Sequence, residues 1–334
     1  MRAIGFPLVI AAGLLLAAAP AARAEVATVT LATQNGSNYL PLTVMEQQKL
    51  VEKHLLAKGL KDTKVGWVRL AGPSAIIDGF LAGAIHFSGQ GVPSTALIWD
   101  KTRGSIGAKA VYAMVASNIW LNTRNPAVKS LKDFTEKDRI AMPSIKTSSQ
   151  ALFLWMACEK EFGKGQWSKL DHIAISLPHP DAMAAVLNPN GDVNSHAATS
   201  PYADIEKRKG LHTVVDLYAV AGGTVTGLNF VSNEKFRSDN PTTFAAVVAA
   251  YNEAMDWVNA DKKRATQFYL DVSKEKMSFD ELYAIMSAPD YIFGQTPHGI
   301  GDGANVMYAA GVIKNKPASW KDMYFAEAHG LKGD

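Results

Sequence analysis

Short β-type runs alternate with helical ones along most of this chain, and that rhythm leaves few architectures open. "VATVTLA" (26–32) reads as a strand and is followed at once by polar residues. A helical pattern runs through "LPLTVMEQQKLVEKHLLAKG", with Gly59 as its C-terminal stop. "KVGWVRL", "SAIIDGFLAG" and "AIHFSG" continue as strand, helix and strand. Strands separated in this way by helices pair in parallel, with the helices covering the sheet. A second series repeats the pattern: "DRIAMP", a helix behind Lys146, "LDHIAI", a helix through "PDAMAAVL", and "DVNSHAA".

Two β-type runs are too long for one ordinary strand. "AVYAMVASNIWLN" (110–122) and "TVTGLNFVSN" (224–233) have the length to leave one sheet and enter another. Without the first 24 residues the chain keeps 334 − 24 = 310, more than one core usually supports, so two lobes are expected. The reading divides the chain into a leader (1–24), a discontinuous first lobe (25–118 and 228–334) and a second lobe (119–227). Beyond 233 the pattern is nearly all helical. Asn240 is placed as a cap with Pro241 in the first turn, and Phe244, Val247, Val248, Tyr251, Met255 and Val258 fall on one face. Later helices are expected near Ser278 and Asp302.

The leader has its own logic. Arg2 precedes "IGFPLVIAAGLLLAAAP", too short for a convincing membrane span, and "ARA" (22–24) offers small residues where a signal peptidase reads them. Cleavage after Ala24 and export to the periplasm are expected, and no cysteine follows to carry a lipid. The leader holds Arg2 and Arg23, so 34 − 2 = 32 basic residues face 31 acidic ones and the mature net charge is +1. A nucleic-acid binder needs a concentrated basic face, which this balance does not provide. The single cysteine, Cys158, sits in "LFLWMACEKE" and reads as a small buried hydrophobe rather than a reactive thiol.

In open α/β sheets ligands collect where strand ends run into helix starts. Here those places are polar: "TQNGSNY", "AGPS", "GQGVPS" and "SN" in the first lobe, "PSIKTSS" and "SHAATSPY" in the second. Thr147, Ser148 and Ser149 open a helix, with Lys146 beside them. Unpaired amides and the helix dipole would favour an anion there, but ordinary capping explains the same residues. Both readings stand at this level.

Enzyme signatures are missing. There is no "GxSxG" elbow, and the spacing of His172 and His179 fits no standard zinc pattern. The formal GxGxxA at 299–304 follows no strand and places Asp302 where a pyrophosphate would sit. No cofactor and no metal are expected.

"AGPSAIIDGFLAGAIHFSGQGVPS", "PSIKTSSQALFLWM" and "TPHGIGDGANVMYAAGVIKNKPASWKDMY" together give the chain a resemblance to type II periplasmic substrate-binding proteins. More narrowly it resembles the nitrate/sulfonate/taurine-type (NMT1-like) receptors of ABC importers. The resemblance implies an α/β fold of two lobes, each a mainly parallel sheet flanked by helices, joined by two crossover strands, with a helical C-terminal tail. It implies a monomeric receptor that closes on a small organic, anionic ligand and delivers it to a permease with its ATPase. A signalling partner in place of a transporter stays open, as does, less favoured, an exported enzyme on the same fold.

By the same resemblance, ligand contacts are expected from Asn35, Ser37, Asn38, Tyr39, Ser74, Gly89, Gln90 and Gly91, and from Ser117 and Asn118 at the crossover. The second lobe is expected to add Lys146, Thr147, Ser148, Ser149, His196, Thr199 and Tyr202, and the return crossover Asn229. Where many relatives carry an acid-then-small pair, this chain has "GDVNSHAATSPY", and no arginine stands in "PSIKTSS". His196 is open between a ligand contact and a structural histidine. Trp120, Trp155 and Tyr202 are the aromatics best placed to wall an organic ligand.

Overall fold

The computed structural model describes residues 25–334; the expected leader, 1–24, lies outside them. Two sheets organise the chain. The first strands are β1 (Thr28–Thr33), β2 (Lys64–Arg69), β3 (Phe87–Gln90) and β4 (Ala108–Ala116). The chain then leaves to form β5 (Ile119–Thr123), β6 (Ile140–Met142), β7 (Ala174–Ser176), β8 (Ser195–Thr199) and β9 (His212–Asp216). It returns through β10 (Leu228–Asn233) and later adds the short β11 (Ile292–Phe293).

The larger sheet has the order β11-β4-β10-β3-β1-β2 and the smaller one β7-β6-β8-β5-β9. β1 pairs in parallel with β2 and β3, and β10 is antiparallel to both β3 and β4. Thus β1 to β4 point one way, and only β10 and β11 oppose them. In the smaller sheet only β5 opposes the rest. The long run at 110–122 divides as expected: β4 ends in the larger sheet, Ser117 and Asn118 make the step, and β5 begins the smaller one. Of these reversed strands, β5 and β10 each follow a crossing between the sheets.

Alternation along the strands fills both faces of the larger sheet. Val29, Leu31 and Phe230 point into one core, Ala32 and Val231 into another. In the first core Phe230 stacks on Tyr251 with ring centres 4.4 Å apart. Tyr251 comes from the long helix Pro241–Ala260, whose Phe244, Val247, Met255 and Val258 are buried beside it. Side chains of this size each contribute about 1.5–3 kcal/mol when fully buried. A third core lies against the smaller sheet and includes Cys158, whose thiol burial pushes up to about 12.

Two local expectations change. The first helical pattern is two helices, Leu40–Gln47 and Leu50–Ala57, broken where Lys49 takes a left-handed φ of 52°. The break brings Leu50, Val51 and Leu55 into the core. Asn240 stands at the cap position of the long helix, but its Oδ1 accepts the Val26 amide instead. The Thr242 and Thr243 amides are met by the Glu25 carboxylate, a partner more than two hundred residues away in sequence. The helix expected near Asp302 is Ile300–Ala309, and its Gly303 is held close to Val92. Of the GxGxxA residues, Gly299 takes a left-handed φ of 65° at the helix start, Gly301 has open space where a Cβ would stand, and Ala304 is buried in the second core. Among the described residues no helix is long and apolar enough to cross a membrane.

Candidate ligand-binding site

A narrow pocket lies between the two sheets, at the ends of their strands. Its walls are built mostly from helix starts. Pro73 opens Pro73–Leu81, Gly91 caps Val92–Thr102, Ser149 and Gln150 open Ser149–Phe162, and His179 opens His179–Leu187. Each start carries partial positive charge from aligned peptides and amides with no intrahelical acceptor. The lining includes no Asp, Glu, Lys or Arg.

The burst of hydroxyls in "PSIKTSSQ" resolves into separate tasks. Ser148 caps the helix, accepting the Ala151 amide at 3.2 Å, while its own hydroxyl donates to the Ser144 carbonyl at 2.7 Å. Ser149 donates to the Gly227 carbonyl at 3.1 Å, on the segment returning to the larger sheet. Both hydroxyl protons are therefore used inside the protein. What this turn offers the pocket is the pair of first-turn amides, of Ser149 and Gln150, together with the Gln150 side chain.

Across the pocket, Asn38 is oriented from behind. The Tyr291 hydroxyl lies 2.7 Å from Asn38 Oδ1, to which it donates, and 2.8 Å from Ser37 Oγ. Asn38 Nδ2 is left as a donor. Tyr39 supplies an aromatic face, and Ile119 and Leu228 supply apolar ones. Ser117, in the step between β4 and β5, is 1 % exposed, and its hydroxyl has no protein partner. A buried polar atom left alone costs about 1–3 kcal/mol, so it points to a hydrogen bond made to something bound here.

His179 is the remaining donor or acceptor. Its Nδ1 is 2.9 Å from His196 Nε2, and its Nε2 faces Gln150 Nε2 at 3.2 Å and Thr199 Oγ1 at 3.4 Å. Burial, with the second imidazole beside it, holds His179 well below the ordinary histidine range, so the ring is neutral at pH 7. Tyr202 stacks on it with ring centres 5.3 Å apart.

The walls touch outside the pocket as well. Ser74 Oγ lies 2.7 Å from Ser144 Oγ and 3.1 Å from Thr147 Oγ1. Ser37 donates to the Ser200 carbonyl at 3.1 Å, Tyr202 donates to Glu275 at 3.1 Å, and Arg208 pairs with Glu281. Two glycines permit this approach: a Cβ on Gly72 would lie 2.7 Å from the Pro143 oxygen, and one on Gly91 2.5 Å from Ser149 Oγ.

No protein-family model matches the chain, and no curated protein sequence does. Solved structures do match. The alkanesulfonate-binding protein SsuA from Xanthomonas axonopodis pv. citri, bound to MOPS, superposes with a TM-score of 0.69 at 17 % identity over 90 % of this chain and 99 % of that one. The periplasmic nitrate-binding protein NrtA from Synechocystis PCC 6803 gives 0.64 at 14 %, over 92 % and 86 %. The Candida albicans CA3427 gene product, described as having the generic periplasmic binding protein fold, gives 0.64 at 12 %, over 90 % and 96 %. This chain has the periplasmic binding protein fold.

On that fold the residues expected from the sequence separate into groups. Asn35, Asn38, Tyr39, Gly91, Ser117, Ser148, Ser149 and Thr199 line the pocket. Ser37, Ser74, Thr147 and Tyr202 do not; they make contacts between the two halves. Asn118 is outside too, donating to Asp290 at 2.5 Å. Gly89 is a packing position, since a Cβ there would meet the Tyr39 ring at 2.8 Å. Asn229 is locked between Thr95 and Tyr324, and Gln90 is fully buried with neither amide atom partnered and is not part of the lining. Lys146 takes a left-handed φ of 70° and points to solvent, so it brings no charge to the pocket. His196 sits one layer back, between His179 and Glu206.

The aromatic expectation also shifts. Trp155 is a core residue donating to Asp171, and Trp120 lies under Lys207, so Tyr39 is the ring in the pocket. Sequence reasoning passed over Gln34, Gln150 and His179. Gln150 stood at the end of the quoted hydroxyl burst. His179 was weighed as a metal ligand with His172, which pairs instead with Glu136. The available signal was its position, at a helix start directly after β7.

Proposed function

We propose that this protein is an exported solute receptor that closes on a small organic anion and delivers it to an ABC permease with its ATPase. The observation that carries the reading is the convergence of four helix starts on a pocket whose lining has no charged carboxylate to oppose an anion. Helix N-termini bind anions through free amides and dipole charge without any basic side chain. Tyr39, Ile119 and Leu228 favour an organic body attached to the anionic group, such as a sulfonate, over nitrate. The names of the similar structures, alkanesulfonate-binding and nitrate-binding, lie in the same chemical range.

In this reading the closing units are 25–118 with 228–334 and 119–227, hinged at Ser117–Asn118 and at the return before β10. Ligand touching both walls stabilises the closed form, which is the differential affinity a closing receptor needs. Export places it in the periplasm, where it works as a monomer.

A thermal-shift screen with methanesulfonate, taurine, acetate and nitrate tests this. A ligand present at a hundred times its Kd stabilises by about 2.7 kcal/mol, well within measurement. Solution scattering should then show a more compact particle with the best ligand than without it. Failure of every anion to shift the melting transition would sink the reading.

A further inference from the structure

Asn229 does not line the pocket, yet it belongs to a series of hydrogen bonds that reaches it. The Tyr324 hydroxyl donates to Asn229 Oδ1 at 2.5 Å, and Asn229 Nδ2 donates to Thr95 Oγ1 at 3.1 Å. The Thr95 hydroxyl donates in turn to the Gly91 carbonyl at 2.9 Å, where the Ser94 hydroxyl also arrives at 3.0 Å. Gly91 lines the pocket and caps Val92–Thr102. We infer that Tyr324, Asn229 and Thr95 are positioning residues for the anion, and that the tail segment 319–325 is a working part of the site although none of its residues lines it. The effect on ligand rests on the anion-receptor reading; the relay itself stands on the geometry of the buried side chains.

The relay has one direction. The Thr95 hydroxyl has a single proton, and the Gly91 carbonyl takes it, so Thr95 Oγ1 meets Asn229 only as an acceptor. That fixes the Asn229 amide: Nδ2 faces Thr95, and Oδ1 faces Tyr324, which must donate. Burial keeps the Tyr324 phenol protonated by raising it well above the ordinary tyrosine range. Tyr324 and Asn229 are 0 % exposed and Thr95 is 1 %, so bulk water does not compete for these bonds. Gln90 is the contrast. It stands opposite Asn229 across β3 and β10, equally buried, and neither of its amide atoms has a partner. An amide in this layer is therefore not engaged by default. Asn229 is engaged because Tyr324 and Thr95 stand at its two ends.

Gly91 feels the relay in two ways. First, its peptide is fixed at a point where the halves come close: a Cβ on Gly91 would lie 2.5 Å from Ser149 Oγ and 3.4 Å from the Ser149 amide nitrogen. The place of Gly91 thus sets the gap between two helix starts, both of which favour an anion. Second, the peptide is polarised. Each bond accepted by the Gly91 carbonyl draws charge through the Gly91–Val92 amide and strengthens it as a dipole. Hydrogen bonds in series in a dry interior reinforce one another by about 10–30 % per bond. The tail is seated to supply the first of them. Tyr324 bridges Ala110 of β4, the Phe325 amide donates to the Ala110 carbonyl at 2.8 Å, and Ser319 caps the short turn Trp320–Met323 just before.

The first test needs no ligand. Labelling glycine with carbonyl 13C and valine with 15N selects Gly-Val peptides in NMR spectra, and the chain has two, Gly91–Val92 and Gly311–Val312. Gly311→Ala assigns them. The Gly91 carbonyl signal should move toward that of a weaker acceptor in Thr95→Val and, by less, in Tyr324→Phe, and should return in Thr95→Ser, with the Gly311 signal still throughout. A Gly91 signal indifferent to Tyr324→Phe overturns the relay; should that variant not fold, an unmoved signal in Thr95→Val overturns it equally. The second test is calorimetry with methanesulfonate. Tyr324→Phe and Thr95→Val should each weaken binding about fivefold, and the double variant no more than either alone, because both cut one series of bonds. Ser94→Ala removes a bond outside the series, so its loss should add to that of Tyr324→Phe. Val258→Ala, a cavity in the first core, measures instability alone and should bind as the wild type does. Additive losses for Tyr324 and Thr95, or an equal loss in Val258→Ala, would make Tyr324 a packing residue only. No binding by the wild-type protein counts against the anion reading, and the carbonyl signal still decides the relay.

Discussion

The two walls of the pocket use one backbone device and differ in what stands behind it. Both end a strand, turn, and present the start of a helix. On the larger-sheet side the polar groups are neutral and braced by neutral partners, as Asn38 is by Tyr291. Its one titratable lining residue is Tyr39, whose phenol burial pushes further up, away from neutral pH. On the smaller-sheet side the helix start is His179, backed by His196 and Glu206. Helix geometry can supply partial charge to any pocket of this kind. Side-chain chemistry behind it decides how the groups at the helix start are held. Here one wall is braced by neutral hydroxyl and amide partners and the other by a buried imidazole and carboxylate.

The strongest way to break that comparison is to keep the walls apart. Gly72 has an extended backbone (φ −172°), so alanine is locally unstrained, yet its Cβ would fall 2.7 Å from the Pro143 oxygen opposite. Gly72→Ala should cost about a hundredfold in anion affinity, ~2.7 kcal/mol, with the melting temperature of the free protein little changed. Calorimetry at wild-type affinity would show that the walls need not meet.

Stability comes next. Glu206→Ala leaves His196 buried without its partner and should destabilise by about 3–5 kcal/mol in urea unfolding. An effect below ~1 kcal/mol would mean that the pair is not the anchor of its wall. On the other wall, Tyr291→Phe removes a neutral donor to Asn38. It should cost about 1 kcal/mol in binding, a factor of roughly five, by the same amount at every pH. Unchanged affinity in that variant would show that Tyr291 does not orient Asn38 for the ligand.

The smallest effect is expected outside the pocket, at Arg208–Glu281. The hydrogen bond from Arg208, with those from Ser278, lowers the Glu281 carboxylate to about 2. Because the folded value is depressed, the contact is complete above the ordinary carboxylate range and is lost only as pH falls toward about 2. In Arg208→Ala, carbon NMR should find Glu281 titrating at a higher pH, with the melting temperature almost unmoved.

Much of the fold was legible because it depends on periodicity. The strand–helix alternation, the crossing at 110–122 and the buried stripe of Pro241–Ala260 all follow from where apolar residues recur. The site was legible only in part. Strand-end loops identified Asn38, Gly91 and Ser148, but the same rule included Asn229, Gln90 and Lys146. Asn229 is engaged by Thr95 and Tyr324, Gln90 is buried outside the lining, and Lys146 turns outward through a left-handed backbone. The break at Lys49 and the capping of the long helix by Glu25 were invisible for a related reason: each depends on a partner distant in sequence.

What the sequence determined by itself was the class of object: local patterns of apolar residues, helix starts and turns are encoded within a few positions, and they specify sheets, helices and polar strand ends. Which of those ends share a pocket was decided by tertiary structure alone. The reason is physical. Hydrogen bonds such as those joining His179, His196 and Glu206 depend on distances across three separate elements, and only the packed chain brings them within reach.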